Sequence, residues 1–494
     1  MTRHVLSIDQ GTTGTTCLVL QFGDGAARVV GRGYAELPQY FPQPGWVEHD
    51  LEEIWQSALT AMSAALAAAR LQGRAIDAIG ITNQRETTGI WDARGVPQYR
   101  AIVWQDRRTS DHCEKLTQQG HASTVRERTG LIIDPYFSGT KIAWMLDHVE
   151  GLRARAVAGE LRFGTVDSWL VWKLTGGRAH VTDASNASRT LLYDIHRGRW
   201  DSELCALFGD IPEKLLPQVR PSSERYGETR GVGVLPDGIP LTGMAGDQQS
   251  ALFGQACLEP GMAKCTYGTG AFVLVNTGTT AVVTDRLVTT VAWQLGDVTT
   301  YALEGSAFVA GAAVQWLRDG LKMFVSAADV ETLAREVPDS GGVIVVPAFT
   351  GLGAPYWRPD ARGLITGLTR GSTRAHIARA ALEGIAFQVF DLLDTMRRDW
   401  GHPLRDLRVD GGAAANELLM GFQADLLGLT IRRPTVLDTT ALGAGLLAAL
   451  GAGIFSDLRD IGHAWQLERS FEPRVPTDAM RAHIERWHAA IAKA

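Results

Sequence analysis

The stretch VLSIDQGTTGTT, residues 5–16, decides the fold. An apolar run at residues 5–8 leads into an acidic residue and then into a turn rich in glycine and threonine. Glycine lets backbone N–H groups come close to phosphate oxygens, and threonine hydroxyls add further donors. A strand, an acidic residue and such a turn are therefore typical of a site that holds phosphate and a metal ion.

Two later loops have the same character. TYGTG at residues 266–270 precedes the apolar run at residues 271–275, and VDGGAAAN at residues 409–416 opens a helix. One such loop is weak support for phosphate binding, but loops in this order on two halves of a chain predict a nucleotide held between two domains. The patterns G-x-x-x-x-G-K-[ST] and G-x-G-x-x-G are missing after the first strand, which excludes the two commonest nucleotide folds.

Composition is that of an ordinary globular enzyme. The 494 residues are 45% hydrophobic and 21% charged, with a net charge of −6. This length supports two large domains, and the negative charge argues against nucleic acid or an anionic membrane as the main partner. The cysteines form no C-x-x-C pair, which indicates reduced thiols. We find neither a signal peptide nor an apolar run long enough for a membrane span, so we expect a cytoplasmic protein.

Strands and helices alternate along the chain, which predicts an α/β protein. We expect strands at residues 78–82 and 101–104. A helix should begin after Asp50, where Glu53 completes a variant of the capping box. Polar side chains follow both strands, and in α/β folds ligand sites lie just beyond the carboxyl ends of strands.

The second half repeats this plan. A strand at residues 407–410 precedes a helix at residues 417–427, for which Asn416 is the predicted N-cap. The second phosphate loop then lies at the start of a second domain. We therefore expect an N-terminal domain at residues 1–254 and a C-terminal domain at residues 255–494.

Arg85 and Glu86 are adjacent opposite charges at the end of a predicted strand. Such a pair is most often a surface ion pair worth about 0–1 kcal/mol. It is also suited to a polyol, because glutamate accepts hydrogen bonds from hydroxyls and arginine donates to them. Trp104 and Tyr136 are each more often packing residues, but an aromatic ring can cover the C–H face of a polyol while a phenol reaches a hydroxyl.

Asp247 lies between Gly246 and Gln248, at the head of a helix that we expect at residues 250–253. Its simplest role is that of an N-cap. Its catalytic role would be that of a general base for an attacking hydroxyl that Gln248 orients, and a positioned base contributes roughly 10²–10⁴-fold. Asp9 also has two interpretations, an Asx-turn residue or a carboxylate that holds Mg²⁺ through water.

These segments together resemble the glycerol kinases of the FGGY carbohydrate kinase family. The similarity is nearly collinear from about residue 3 to about residue 470. The segments that carry it are DQGTT at 9–13, PGWVEHD at 44–50, GITNQRETT at 80–88, IDPYFSGTK at 133–141, GDQQ at 246–249, FTGLGAPYW at 349–357 and DGGA at 410–413. The resemblance implies an α/β fold of two actin-like (ribonuclease H-like) domains that flank a cleft for nucleotide and substrate.

The resemblance also implies an ATP:glycerol 3-phosphotransferase, which uses Mg-ATP to make sn-glycerol 3-phosphate in glycerol catabolism. Asp247 would take the proton from the attacking hydroxyl, and Asp9 would hold Mg²⁺. The residues implied to bind glycerol are Arg85, Glu86, Trp104, Tyr136, Asp247 and Gln248. The residues implied to bind the nucleotide are Thr12, Thr13, Gly14 and Thr269 at the phosphates, Gly311 and Gln315 beside them, and Gly412 and Asn416 near the adenosine. Family members commonly form dimers or tetramers, so we expect a homo-oligomer.

The first loop departs from the family pattern. Many members carry Ser-Ser-Arg after the two threonines, and that arginine reaches the nucleotide phosphates. Here the positions are Gly14, Thr15 and Thr16, which removes a fixed cation. Phosphate charge must then be balanced by Mg²⁺ and helix N-termini. We predict weaker nucleotide affinity or a slower step, an idea that fails if Thr16→Arg changes neither the KM for ATP nor kcat.

Other functions fit the same motifs less well. A kinase for another small polyol or sugar would be recognised by the alcohol that increases ADP production. A chaperone-like ATPase on this fold would turn over ATP slowly and ignore small alcohols, yet such a switch needs no polyol site. A catalytically weakened homologue is disfavoured because Asp247 is retained.

Overall fold

The computed structural model describes residues 2–23 and 25–494, and its first half is built on one mixed sheet. The strands of this sheet are β1 Arg3–Gln10, β2 Gly14–Gly23, β3 Ala26–Glu36, β4 Ala78–Asn83, β5 Gly227–Glu228 and β6 Pro240–Gly246. Their order is β5-β6-β4-β1-β2-β3. Strands β1, β2 and β3 form an antiparallel meander, and β4 and β6 run parallel to β1.

The second half is built on another sheet of similar plan. Its strands are β7 Met262–Tyr267, β8 Ala271–Gly278, β9 Val288–Leu295, β10 Val298–Ala307, β11 Asp406–Asp410, β12 Ile431–Pro434 and β13 Leu467–Phe471. Their order is β9-β10-β8-β7-β11-β12-β13. Again an antiparallel group, β7, β8 and β10, is joined by parallel strands, β11 and β12. The chain passes from one sheet to the other after β6.

Helices surround both sheets. They are α1 Leu51–Ala69, α2 Ser110–Gln118, α3 Ala122–Thr129, α4 Ser138–His148, α5 Leu152–Ala158, α6 Val166–Leu174, α7 Ala184–Ala187, α8 Ser202–Leu207, α9 Asp247–Gly254, α10 Gly311–Asp319, α11 Asp329–Ala334, α12 Arg374–Trp400, α13 Glu417–Leu427, α14 Thr439–Gly451, α15 Leu458–Ala464 and α16 Thr477–Ile491. Short two-stranded ladders pair Glu48–His49 with Ala101–Ile102, Gly89–Asp92 with Leu161–Gly164, Val181–Asp183 with Gln218–Arg220, Tyr193–Asp194 with Arg199–Trp200, and Ile344–Val346 with Leu364–Thr366.

Helices α9 and α14 cross between the two sheets at glycines. A Cβ atom at Gly443 would lie 1.8 Å from the carbonyl oxygen of Ser250, and one at Gly254 would lie 2.1 Å from that of Thr439. The helices can approach this closely only because side chains are missing at the crossing. Since α9 begins at Asp247, the crossing fixes the position of that residue relative to the second half of the chain.

Helix α14 belongs to the second half of the chain but packs on the first sheet. A Cβ atom at Gly80 on β4 would lie 2.1 Å from the Ala444 carbonyl oxygen, and Gly243 on β6 meets Ala448 equally closely. Helix α1 covers the opposite face of the same sheet, where Gly33 approaches Ala61. The first sheet is thus enclosed by helices from both halves of the chain.

Most local predictions are confirmed. The Asp50 carboxylate accepts hydrogen bonds from the first turn of α1, and Asn416 Oδ1 accepts from Leu419 N at 2.9 Å at the start of α13. The strand expected at residues 101–104 is wrong beyond Ile102, because the Asp106 N–H donates to the Val103 carbonyl and closes a turn there.

Among the described residues, 2–23 and 25–494, no helix is long and apolar enough to cross a membrane. All five cysteines are buried and none forms a disulfide, so the prediction of thiols is confirmed.

Candidate active site

Arg85 lies just beyond β4 and organises a buried group of carboxylates. Its Nη1 and Nη2 donate to the two carboxylate oxygens of Glu304, each at 2.6 Å. Its Nε lies 3.2 Å from Glu86 Oε1 and 3.4 Å from Asp247 Oδ1. The Arg85 side chain is 1% exposed, whereas that of Asp247 is 31% exposed. The arginine is therefore enclosed, and the aspartate faces open space.

Arg189 and Glu304 were not found from the sequence, although both belong to this group. Arg189 donates from Nε to Glu86 Oε1 at 2.9 Å and from Nη2 to Glu304 Oε1 at 3.1 Å. Burial opposes ionisation of Glu304, but Arg189 and Arg85 outweigh it and lower the pKa of this carboxyl to about 2. The signal for Glu304 is visible in retrospect, because it is the single acid in the largely buried second half of β10.

Asp247 is the first residue of α9. The N-cap is Gly246, without a side-chain cap, so the interpretation of Asp247 as an N-cap is wrong, and the helix begins three residues before its predicted start. Asp247 Oδ1 accepts a hydrogen bond from the Gln248 backbone N–H at 2.7 Å. Burial raises the pKa of Asp247, and the nearby Arg85 partly opposes this shift. A carboxylate with a raised pKa is a better proton acceptor, as a general base requires.

Gln248 is held by a lysine that the sequence did not reveal. Lys264 on β7 donates from Nζ to Gln248 Oε1 and, at 3.0 Å, to Thr266 Oγ1. Burial lowers the pKa of Lys264, while carboxylates including Asp247 oppose the shift. Because the amide oxygen of Gln248 is already occupied, its amide N–H groups are the ones available to a ligand.

Trp104 and Tyr136 form an aromatic pair beside these charges. Their ring centroids are 5.5 Å apart in an edge-to-face arrangement, and Trp104 Nε1 donates to Thr12 Oγ1 at 2.9 Å. The Arg189 guanidinium lies 5.9 Å from the Tyr136 ring centre. Burial raises the pKa of Tyr136, which keeps its phenol protonated as a donor. The aromatic pair therefore connects the residues predicted to bind a polyol with the first predicted phosphate loop.

The first loop is a tight turn between β1 and β2. The Gly11 N–H donates to the Gly14 carbonyl at 2.9 Å, and Thr13 is exposed at the tip. A Cβ atom at Gly14 would lie 2.5 Å from the Tyr34 hydroxyl oxygen. Glycine is thus the residue that allows Tyr34 to cover this loop.

Asp9 is part of β1, so the Asx-turn interpretation is wrong. Its pKa is raised to about 8, first by burial and then by repulsion from Asp247 and Asp438. Among residues 2–23 and 25–494, no three His, Cys, Asp or Glu side chains converge closely enough to hold a metal ion. Asp9 is therefore not part of a metal cluster formed by the described side chains alone.

The second loop is joined to the start of α10. The Gly311 N–H donates to the Gly268 carbonyl at 3.0 Å, and the Thr269 carbonyl accepts from Ala310 N at 2.8 Å. A Cβ atom at Gly311 would lie 2.6 Å from the Gly268 oxygen. Thr269 and Gln315 are both exposed on this side. The structure thus brings Thr269, Gly311 and Gln315 into one region.

The third loop adjoins the second. Gly411 has φ of +85°, and a Cβ atom there would lie 2.5 Å from the Tyr267 carbonyl oxygen. The next residue, Gly412, is exposed, and a Cβ atom there would meet nothing within 4 Å. Asn416 uses its Oδ1 as the cap of α13, which leaves its amide N–H groups available. Gly412 and Asn416 thus border open space beside the second loop.

Comparisons with known proteins agree with this arrangement. The family model "FGGY family of carbohydrate kinases, N-terminal domain" matches residues 4–254, and the corresponding C-terminal model matches residues 263–452. The chain is 57% identical to the glycerol kinase of Myxococcus xanthus, over 100% of this chain and 99% of that protein. It is 54% identical to the glycerol kinase of Deinococcus radiodurans, over 100% and 97%.

Solved structures show the same fold. The crystal structure of Plasmodium falciparum glycerol kinase with ADP superposes with a TM-score of 0.92 at 35% identity, covering 99% of this chain and 98% of that one. The xylulose kinase from Rhodospirillum rubrum gives 0.87 at 24% identity, covering 99% and 98%, which supports the fold alone. The prediction of two actin-like (ribonuclease H-like) domains is confirmed. By sequence and by fold, the chain belongs to the FGGY family of carbohydrate kinases.

Proposed function

We propose that this protein is a glycerol kinase, which transfers the γ-phosphoryl group of Mg-ATP to a terminal hydroxyl of glycerol and releases ADP and sn-glycerol 3-phosphate. The observation that carries the proposal is the partly exposed Asp247 carboxylate held beside the enclosed Arg85–Glu86 pair. A base next to a matched donor and acceptor is what a small polyol requires. High similarity to glycerol kinases over the whole chain supports the same substrate.

Glycerol would bind in the space that Asp247 faces. Arg85 and Glu86 supply a donor and an acceptor for neighbouring hydroxyls, and the phenol of Tyr136 supplies another donor. The Trp104 ring, edge-to-face with Tyr136, offers an apolar surface for the carbon atoms. Such a site favours three adjacent hydroxyl-bearing carbons over a simple alcohol.

Asp247 would act as the general base. As a terminal hydroxyl attacks the γ-phosphorus, its proton passes to the Asp247 carboxylate, the new O–P bond forms, and the bond to the ADP oxygen breaks. The amide N–H groups of Gln248, held in place by Lys264, would orient that hydroxyl. In phosphoryl transfer most of the catalysis is positioning and charge stabilisation, so the rigid placement of these groups matters as much as basicity.

The nucleotide would lie between the loops. Thr12, Thr13, Gly14 and Thr269 would contact its phosphates, Gly311 and Gln315 would lie beside them, and Gly412 and Asn416 would border the adenosine. The exposure of Thr13, Thr269 and Gly412 toward open space supports these assignments. Closure of the two domains, which we place at residues 1–254 and 255–494, would exclude water and so prevent hydrolysis of ATP.

Magnesium fits the residues present. Burial raises the pKa of Asp9, as do the nearby carboxylates of Asp247 and Asp438, and a bound divalent cation would favour its charged form. Asp9 would hold the ion with water and phosphate oxygens completing its shell, as Mg²⁺ prefers. When bound, the ion would neutralise charge on the β- and γ-phosphates.

The first test is ADP release with Mg-ATP, with and without glycerol, for wild type and Asp247→Asn. We expect glycerol-dependent turnover that falls by roughly 10²–10⁴-fold in the variant. Asp391→Asn is the matched control, because Asp391 is also a buried carboxylate but bonds to Tyr356 and Trp487 in the second half. Turnover that is indifferent to glycerol would disprove the substrate and call for a panel of other polyols.

The assembly is part of the proposal. We propose a homo-oligomer, a dimer or tetramer, as its family commonly forms. Light scattering coupled to size-exclusion chromatography gives the mass directly. A mass equal to that of one 53.5 kDa chain would refute this.

A further inference from the structure

Four side chains on the first sheet share one face at the first phosphate loop. Thr16 on β2 lies directly opposite Asp9 on β1 and opposite Tyr34 on β3, and Arg32 lies two residues before Tyr34. Directly opposed residues of an antiparallel pair point to the same side, as do residues two apart on a strand. Asp9, Thr16, Tyr34 and Arg32 are therefore neighbours.

Contacts identify this face as the one that α14 covers. Thr15 Oγ1 lies 2.6 Å from Ser57 Oγ of α1, which places Thr15 on the other side of the sheet. Gly31 and Gly33 also meet α1, so Arg32 between them points toward α14. There it pairs with Asp438, directly before α14.

The Arg32–Asp438 ion pair is largely exposed to solvent. Nε lies 3.0 Å and Nη2 3.3 Å from the two carboxylate oxygens of Asp438. The two side chains are 51% and 41% exposed, and ion pairs at such sites contribute little to stability. A ligand with several negative charges can therefore compete with Asp438 for the guanidinium.

Tyr34 is a side chain of β3 that already contacts the first loop. Its hydroxyl donates to the Thr13 carbonyl at 3.4 Å, and Gly14 has no side chain where the Tyr34 ring lies. On β2 itself Thr15 points away and Thr16 offers only a neutral hydroxyl. The side chains that reach over this loop thus come from the neighbouring strand.

Negatively charged groups already lie close to Arg32. Asp9 on β1 shares its face of the sheet, and the Arg32 guanidinium holds Asp438. A bound polyphosphate would add further negative charge to the same place. Arginine suits phosphate because its planar guanidinium donates two hydrogen bonds to one group.

We propose that Arg32 is a nucleotide-binding residue, which leaves Asp438 and contacts the phosphates of a nucleotide held at the first loop. Strand β2 carries no lysine or arginine, so the cation at this end of the sheet comes from β3. This assignment rests on the proposed function only in that a nucleotide binds between the loops.

The direct test measures ADP binding by isothermal titration calorimetry without glycerol. Arg32→Met should weaken binding about 10- to 100-fold, the range for one hydrogen-bonded charge. The matched control is Arg28→Met, since Arg28 is an exposed arginine near the other end of the same strand. Binding of ADP by the two variants within about twofold of each other would overturn the proposal.

A double-mutant cycle separates phosphate contact from simple neutralisation of Asp438. Asp438→Asn removes the competing carboxylate and leaves Arg32 free. If Arg32 contacts phosphate, Arg32→Met weakens ADP binding in the Asp438→Asn background as well. If Arg32→Met has no effect there, Arg32 serves only Asp438 and the proposal is wrong.

Failure of the proposed function would be distinguishable from failure of the assignment of Arg32 to nucleotide binding. Calorimetry reports nucleotide binding whether or not glycerol is the acceptor. Arg32-dependent ADP binding in an enzyme that ignores glycerol would retain this assignment and remove the substrate. Glycerol-dependent turnover with ADP binding that does not depend on Arg32 would retain glycerol as the substrate and overturn the assignment of Arg32.

Discussion

Arg85 and Glu304 form a bidentate ion pair that joins the two sheets of the molecule. Arg85 follows β4 of the first sheet, Glu304 belongs to β10 of the second, and both contacts measure 2.6 Å. The arginine proposed to hold glycerol is thus oriented by the opposite half of the chain. The proposed recognition of glycerol by Arg85 would therefore be linked to the relative position of the two halves.

Glu304→Gln keeps the shape of the side chain and removes its charge. Arg85 then loses its strongest partner, and breaking one side of a buried pair costs about 3–5 kcal/mol. We expect the KM for glycerol to rise about tenfold or more, with little change in the KM for ATP, and a lower Tm.

Asp391→Asn is the control for stability alone. Asp391 is a buried carboxylate that bonds to Trp487 and His488, in the second half of the chain. The Asp391→Asn substitution should lower the Tm without changing the KM for glycerol. An equal rise of that KM in both variants would contradict a specific role for Glu304.

The acid side of the pH profile should report Asp247. Burial raises its pKa above the ordinary value of 3.8, and a base is active only when deprotonated. Activity should therefore decline at a higher pH than for an ordinary aspartate, with log kcat/KM for glycerol falling one unit per pH unit below the midpoint. Initial rates in a constant-ionic-strength buffer give this midpoint, and a value at or below 3.8 would disprove the assignment.

His49 should make the fold sensitive to moderate acid. It is fully buried beside Gln84, and burial lowers its pKa from 6.5 to about 4. Between these values the unfolded chain binds the proton and the native protein does not. Stability from this group is therefore complete above pH 6.5 and is lost as the pH falls toward 4, by about 3 kcal/mol.

The measurement for this prediction is urea unfolding at several pH values. His49→Gln should flatten the decline between pH 6.5 and 4. His402→Gln, at an exposed histidine, is the matched control and should leave the decline as it is in wild type. A slope unchanged by His49→Gln would show that other groups cause the acid sensitivity.

Gly443→Ala should disturb the crossing of α9 and α14. The new methyl group would lie 1.8 Å from the Ser250 carbonyl oxygen, so the helices must separate. Overpacking of this kind costs typically about 1–3 kcal/mol. Because α9 begins at Asp247, we expect kcat to fall together with the Tm.

A glycine without such a contact provides the comparison. Gly462 lies in α15, and a Cβ atom there would meet nothing within 4 Å. Gly462→Ala should therefore raise stability slightly, by about 0.5–1 kcal/mol, and leave kcat unchanged. A similar response of both variants would argue against a tight crossing.

Thr16→Arg should have an effect that depends on Arg32. Thr16 lies opposite Asp9, where an arginine would reach the same region as Arg32. We expect a modest decrease in the KM for ATP in wild type, and a larger decrease in the Arg32→Met background. No change of KM or kcat in either background would disprove the interpretation of the first loop.

Short-range features could be predicted from the sequence. The cap of α1 by Asp50 and the cap of α13 by Asn416 depend on a few adjacent residues, and both are observed. The loops predicted to bind phosphate could be located because each has glycine close to threonine or aspartate at the end of a strand. The strand after Ala101 was overextended, since apolar composition alone does not show where a turn closes.

Long-range partners could not be predicted in the same way. Glu304 is 219 residues from Arg85, and no local pattern connects them. Arg189 and Lys264 are buried cations whose roles depend on strands and loops far away along the chain. The family resemblance named the residues that we expect to touch substrate, whereas the residues that position them became apparent only from their contacts.

The placement of α14 has a consequence for dividing the protein. A fragment ending at residue 254 would lack the helix that packs on Val5, Leu18 and Leu20, and this apolar surface would face water. Such a fragment should aggregate, although it contains all the residues that we propose to bind glycerol. Split-enzyme complementation therefore needs both pieces to fold together, because the first half of this kinase is not an independent module.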